Sequence, residues 1–182
     1  FTAIPDNKID KKFDPVFDYH VYADVTDING ETRSGETSVS VSYKSMMLVA
    51  QIPSSLPADS LKNLHITTQN MNGEFEPSTI NLTITKLNDE KKLIRKRFWE
   101  RPDQFVMSKQ DYISYFPYDE YDNETDFKSW TKSQTLVNKQ DTAKKEGSFA
   151  LGTAKFSPGI YVIEMQAKNK TGEEVKDVKY LE

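Results

Sequence analysis

Tyr19-His20-Val21-Tyr22-Ala23-Asp24-Val25-Thr26-Asp27-Ile28-Asn29-Gly30-Glu31 returns in outline as Tyr161-Val162-Ile163-Glu164-Met165-Gln166-Ala167-Lys168-Asn169-Lys170-Thr171-Gly172-Glu173. In both stretches a Tyr opens a run with an apolar residue on every second position, and Gly follows after the same interval. A period of two cut off by Asn-Gly or Thr-Gly is the pattern of a half-buried strand entering a hairpin. Each copy continues into a second alternating strand: Thr37, Val39, Val41 and Tyr43 in one, Val175, Val178 and Tyr180 in the other. A repeated closing hairpin predicts two consecutive β modules. On this reading residues 1–43 hold the last hairpin of a preceding sandwich, and residues 44–182 form a complete antiparallel β-sandwich of immunoglobulin/fibronectin type.

Composition supports a small two-layer core. Of 182 residues, 36% are apolar and 29% charged, and the mean hydropathy is −0.69. Such a chain has little apolar surface with which to fill a broad α/β core. A net charge of −4 argues against nucleic acid as a partner, because phosphate binding needs a basic field. No apolar run reaches membrane-spanning length, so direct membrane insertion is not expected. The densest apolar patch, Met46-Met47-Leu48-Val49-Ala50, is strand-sized. With no Cys the chain offers no disulfide, thiolate metal site or thiol nucleophile.

Working outward, residues 1–15 carry Pro5 and Pro15 around a charged stretch and read as a connector. Met46–Ile52 begins a strand almost directly after Tyr43, which predicts modules packed against each other. His65–Thr68 and Ile80–Thr85 are further strands, with a turn at Asn70-Met71-Asn72-Gly73 between them. The alternation then stops. From about 88 to 146 the expected structure is a long, partly helical insertion. Within it Ser108 is placed to cap a short helix over Lys109–Tyr115, ended by Pro117. Strand pattern resumes at Ser148-Phe149-Ala150-Leu151.

Catalysis needs a nucleophile, a base and an orienting group. The two histidines, His20 and His65, each sit in strand pattern, and no nucleophile elbow, P-loop, dinucleotide fingerprint or zinc-protease helix is present. The expectation is a protein that is not an enzyme and carries no cofactor or metal. The acidic loop Asp119, Glu120, Asp122, Glu124, Asp126 fails as an EF-hand, since Phe127 stands where Gly is required and Ser133 where Glu is required. The basic run Lys91, Lys92, Arg95, Lys96, Arg97, Arg101 is expected to pair with that acidic loop. The insertion also holds most of the large aromatics. Phe98, Trp99, Phe105, Tyr115, Phe116, Tyr121 and Trp130 are either a satellite core or an interaction surface.

Several of these stretches resemble the large bacterial alpha-2-macroglobulin family. Tyr19 to Ser34 is similar to a stretch in those proteins. Arg97-Phe98-Trp99-Glu100-Arg101-Pro102-Asp103-Gln104-Phe105, with Tyr115-Phe116-Pro117 and Asp119-Glu120-Tyr121, resembles an insertion in the macroglobulin domain that comes next, and Gly159 to Tyr180 resembles that domain's closing strands. The resemblance implies two consecutive macroglobulin domains, which are seven-stranded antiparallel sandwiches stacked into a shell. Family members entrap proteases after a bait segment is cut, and many use a Cys-Glu thioester. Lacking Cys, this chain cannot hold that motif, and no stretch reads as a bait. What the resemblance implies is therefore a non-catalytic scaffold of an exported protein in the periplasm or cell envelope. Its partners would be neighbouring domains of a parent protein and, through that parent, proteases. The alternative function is a cell-envelope sandwich that binds carbohydrate or protein with the aromatic insertion. A hairpin with unpaired edges also raises self-association through residues 16–43 as an expectation.

Overall fold

The computed structural model describes residues 2–6, 8–57, 60–89 and 93–182. Its strands are β1 (Val16–Thr26), β2 (Thr32–Ser42), β3 (Met47–Gln51), β4 (Asn63–Gln69), β5 (Ser78–Leu87), β6 (Lys132–Thr142), β7 (Ser148–Ala150), β8 (Tyr161–Asn169) and β9 (Glu174–Leu181), with one helix, α1 (Lys109–Tyr115). Three sheets result: β1-β2 alone, β3-β4-β7, and β6-β5-β8-β9. Every strand pairing is antiparallel.

The second and third sheets face each other as a sandwich. Alternation explains its core: Ile80, Leu82 and Ile84 of β5 and Ile163, Met165 and Ala167 of β8 point inward and are buried. They meet Leu64, Ile66 and Phe149 from the other sheet in one apolar cluster. Met46, fully buried at the entry to β3, belongs to the same cluster. The polar groups in this core are satisfied. Thr68 Oγ1 donates to the Glu76 carbonyl at 2.6 Å and lies 2.8 Å from Ser78 Oγ. Tyr161 closes the approach to β8: its hydroxyl donates to the Ser157 carbonyl at 2.5 Å and accepts from the Ser157 N–H at 3.0 Å.

One turn is built three times. Asp27, Asn70 and Asn169 each accept, through Oδ1, the N–H groups two and four residues on. In each turn a Gly follows three positions later, at φ +81, +81 and +89° (Gly30, Gly73, Gly172). Glu31, Glu74 and Glu173 then close the hairpin by accepting the N–H of the opening Asx at 2.9, 2.8 and 3.1 Å. The left-handed φ is the reason Gly is required.

β1 and β2 are not woven into the sandwich sheets; they form a ladder of their own from Val16↔Ser42 to Thr26↔Thr32. One face carries Phe17, Tyr19, Val21, Val39 and Val41, all half-buried. Residues before β1 cross this face: Tyr19 Oη donates to the Ile4 carbonyl at 2.6 Å and Tyr43 Oη to that of Asp6 at 2.7 Å. The other face is polar, with Ser40 and Ser34 donating to their cross-strand partners Asp18 and Asp24, both at 2.5 Å. Beyond Val21 the hairpin is exposed on both faces, and Ile28 at its tip is 102% exposed.

The root of the hairpin is held by two of the three turns. Asn72 Oδ1 accepts the Ser40 N–H at 3.0 Å. The Glu173 carboxylate accepts the Ser45 N–H at 2.9 Å and the Ser45 hydroxyl. Asn169 Nδ2 donates to Ser45 Oγ at 3.3 Å. The tight join expected from the sequence is thus a hydrogen-bonded one.

The expected insertion over 88–146 is corrected by β6, an eleven-residue strand on the outer edge of β5. Its residues are polar because it is an edge strand with one face in water. A register shift between Ile84 and Thr85 pairs Val137 and Thr135 with consecutive β5 residues, leaving Leu136 extra. That bulge sets Leu136 and Val137 side by side and hides the period of two. The insertion therefore spans 88–131. Helix α1 has the expected bounds, and Ser108 Oγ accepts the Asp111 N–H at 3.2 Å as its cap.

Candidate functional site

The insertion leaves and rejoins the sandwich at one point, where Asn88 N–H donates to the Thr131 carbonyl at 2.9 Å and Asn88 Nδ2 to Thr131 Oγ1 at 3.0 Å. Above this stem the basic and acidic stretches lie together, as their charges predict. Arg95 N–H donates to the Tyr118 carbonyl at 2.6 Å and Glu120 N–H to that of Arg95 at 3.1 Å. Arg95 pairs with Asp119 at 3.2 Å and Arg101 with Asp122 at 2.5 Å. Arg97 donates instead to backbone, reaching the carbonyls of Tyr121 and Asp122, both at 2.8 Å. Lys91 and Lys92 lie outside the described residues.

Glu120 is the pin of this layer. Only 6% exposed, its carboxylate accepts the Arg97 N–H at 3.0 Å, the Thr125 N–H at 3.2 Å and the Thr125 hydroxyl at 2.5 Å. Burial by itself raises its pKa. The Thr125 hydroxyl, the two N–H donors and the Arg97 charge together outweigh burial and hold it below the ordinary 4.5. Glu124 behaves alike: burial raises its pKa, and Lys109 at 2.6 Å, with backbone N–H donors, brings it below the ordinary value. Asp126 accepts the Lys128 N–H at 3.1 Å, capping a short 3₁₀ turn at 127–129. The acidic loop thus organises backbone, and among the described residues no group of three or more His, Asp or Glu is placed to hold a metal ion.

The aromatics pack chiefly on one another. Phe105 stacks on Tyr121 with centroids 4.3 Å apart, and Tyr112 on α1 touches both Tyr121 and Phe116, at 5.3 and 5.2 Å. Tyr121 Oη donates to the Met107 carbonyl at 2.7 Å. A Phe127–Tyr180 ring contact of 5.1 Å ties the insertion to β9. The cluster walls a cleft of about 280 Å³. Trp99, Phe105, Phe116 and Tyr121 line it together with Pro102, Val106, Met107 and Tyr112.

The seven aromatic positions singled out from sequence therefore divide. Four line the cleft. Phe98 and Tyr115 stand outside it, with Phe98 91% exposed. Trp130 is half-buried and braces the loop, its indole N–H donating to the Glu124 carbonyl at 2.8 Å. Trp99 is 64% exposed at the rim. Pro102, Val106 and Met107 carry no periodic signal and were not expected at the site. Of the polar groups at the cleft, Glu120 accepts from Thr125 and the Arg97 N–H and the Arg97 Nη atoms donate to loop carbonyls, while the buried Arg97 Nε has no hydrogen-bond partner among the described residues. The cleft can accordingly take an apolar or aromatic-stacking group.

His20 lies on the exposed face of β1 and His65 on the exposed face of β4, so the structure does not bring the histidines together. No helix of the described residues is long and apolar enough to cross a membrane. No protein-family model, no curated protein and no solved structure matches this chain.

Proposed function

We propose that this chain is a non-catalytic structural module of a protease-trapping protein of the alpha-2-macroglobulin type, working in the periplasm or cell envelope. The observation that carries this reading is the β1–β2 hairpin. It ends in the same Asx-x-x-Gly-Glu turn as β8–β9, pairs among the described residues with no strand of the sandwich, and is fixed at its root by Asn72, Asn169 and Glu173. That arrangement supports reading β1–β2 as the closing hairpin of one sandwich that leads into the next. The three-plus-four strand arrangement of β3–β9 has the strand number that the resemblance implies. The Tyr161 hydroxyl bonding back to Ser157 is the kind of corner found in immunoglobulin-type sandwiches. The module's work on this reading is to hold neighbouring domains at a set angle.

The test uses the parent protein that carries this chain. Mixed with a protease that cuts it, the parent should leave activity on a small peptide substrate while suppressing activity on a large protein substrate. Equal residual activity on both would contradict the reading.

A second reading, a binding module for carbohydrate or protein, is favoured by the exposed rings of Phe98 and Trp99 beside the cleft. Trp99 is 64% exposed at the rim of the cleft, as an aromatic binding surface requires. Titration of Trp fluorescence with oligosaccharides and with extended peptides separates them. A saturable change lost in Trp99→Ala supports binding, and a flat response in both titrations removes it.

A further inference from the structure

The repeated hairpin supplies its own template for reading the open edge of β1. In an antiparallel ladder, residues alternate between bonding the partner strand and turning N–H and C=O outward. The Asp27 N–H bonds Glu31 across the turn, so Val25, Ala23, Val21 and Tyr19 bond to β2. His20, Tyr22, Asp24 and Thr26 direct their backbone groups to the other edge. β8 is built the same way from Asn169 and Glu173, and its outward residues Val162, Glu164, Gln166 and Lys168 are met by β5 at Thr85, Thr83, Asn81 and Thr79. On the core face β5 sets Ile84, Leu82 and Ile80 opposite Ile163, Met165 and Ala167. Among the described residues the corresponding edge of β1 has no partner strand.

We propose that the open edge of β1 is an acceptor site for an antiparallel strand from another sandwich module, in the register that β5 takes on β8. The proposal rests on the reading that β1–β2 completes a second sandwich. Its occupant is apolar opposite Val21, Ala23 and Val25, and polar opposite His20, Tyr22, Asp24 and Thr26. Opposite Ala23 it has room for a large side chain, since β8 carries Met165 at that place. The hairpin's turn supplies a second contact. Glu31 occupies the position of Glu173, and its carboxylate pairs only with the exposed Arg33 at 3.3 Å among the described residues. It is placed to accept an N–H and a hydroxyl from the entering module, as Glu173 does from Ser45. Backbone pairing gives such a site its affinity and the alternating pockets its choice of strand.

The probe is a synthetic peptide with the sequence of β5, Ser78–Leu87, added to the whole chain, with a scrambled peptide as control. The readout is amide exchange residue by residue. Backbone pairing predicts slowing by about tenfold or more at His20, Tyr22, Asp24 and Thr26, with no such effect from the scrambled peptide. Tyr22→Pro removes an outward N–H while leaving the bonds to β2, and should abolish the slowing. No slowing at saturating peptide, with Val21 and Ala23 still protected by β2, overturns the acceptor site and leaves the domain reading standing. Protection of the four outward amides that rises with protein concentration and needs no peptide shows a second copy as occupant, which also overturns it. Protection of the same four amides in the dilute, monomeric chain shows the edge covered from within, and then the domain reading fails with the proposal.

Discussion

Glu173 holds Ser45 across 128 residues of chain, its carboxylate accepting both the backbone N–H and the hydroxyl. That contact joins the end of the sandwich's last hairpin to the point where the first hairpin enters. It is assisted by Asn169, whose Oδ1 organises the turn while its Nδ2 reaches Ser45 Oγ. Asp27 performs the same turn-organising task in β1–β2 with a carboxylate.

Asn169→Asp should therefore keep the turn and weaken the join. The three accepting bonds survive, the donation to Ser45 is lost, and a second negative charge is set beside Glu173. The expected cost is about 1 kcal/mol, and less in Asn169→Asp/Glu173→Gln, measured by urea denaturation. Equal costs in the single and double variants would show that the two side chains do not act together at Ser45.

Gly172→Ala isolates backbone strain. No atom lies within 4 Å of the added Cβ, and φ is +89°, so about 1–2 kcal/mol of left-handed penalty is all that enters. A neutral result in thermal unfolding would mean that the turn relaxes freely.

Met46→Ala tests whether the entry to β3 is part of the core. A fully buried Met in the main cluster should cost about 2–5 kcal/mol, against less than ~0.5 kcal/mol for the exposed Ile28→Ala at the hairpin tip. Comparable losses at the two positions would place the core elsewhere.

Acid should loosen the insertion. Glu120 has a folded pKa below its unfolded one, so its contribution is fully present above the ordinary carboxylate range and fades as pH falls through the folded value. Near-ultraviolet dichroism from Trp99 and Trp130 should show a transition below about pH 4.5. In Glu120→Gln that transition should shrink, with the neutral-pH signal already reduced. An unchanged acid transition in the variant would assign the loosening to other carboxylates.

The hairpins were legible because their cause is local: period-two apolarity and an Asx-x-x-Gly-Glu turn fix β1–β2 and β8–β9 without reference to the rest of the chain. The helix was legible through Ser108, whose cap needs only Asp111 three residues away. β6 was not, since an edge strand bonds with backbone and places few side chains inside, and its bulge at Leu136 erases what alternation remained. The cleft was half legible. Aromatic residues announce a cluster, yet which rings turn inward depends on Arg97 and Glu120 folding the loop back upon itself, a long-range matter. Pro102, Val106 and Met107 enter the cleft only through that folding.

The account rests on β1–β2 being a sheet separate from the sandwich to which it is hydrogen-bonded, and native-state amide exchange of the whole chain tests this most directly. Val21 and Ala23 should open in a transition several kcal/mol below the one that exposes Leu82 and Ile163, with Glu173→Ala lowering only the first. A monomer in which all four amides exchange through a single shared opening, equally affected by that substitution, would contradict it.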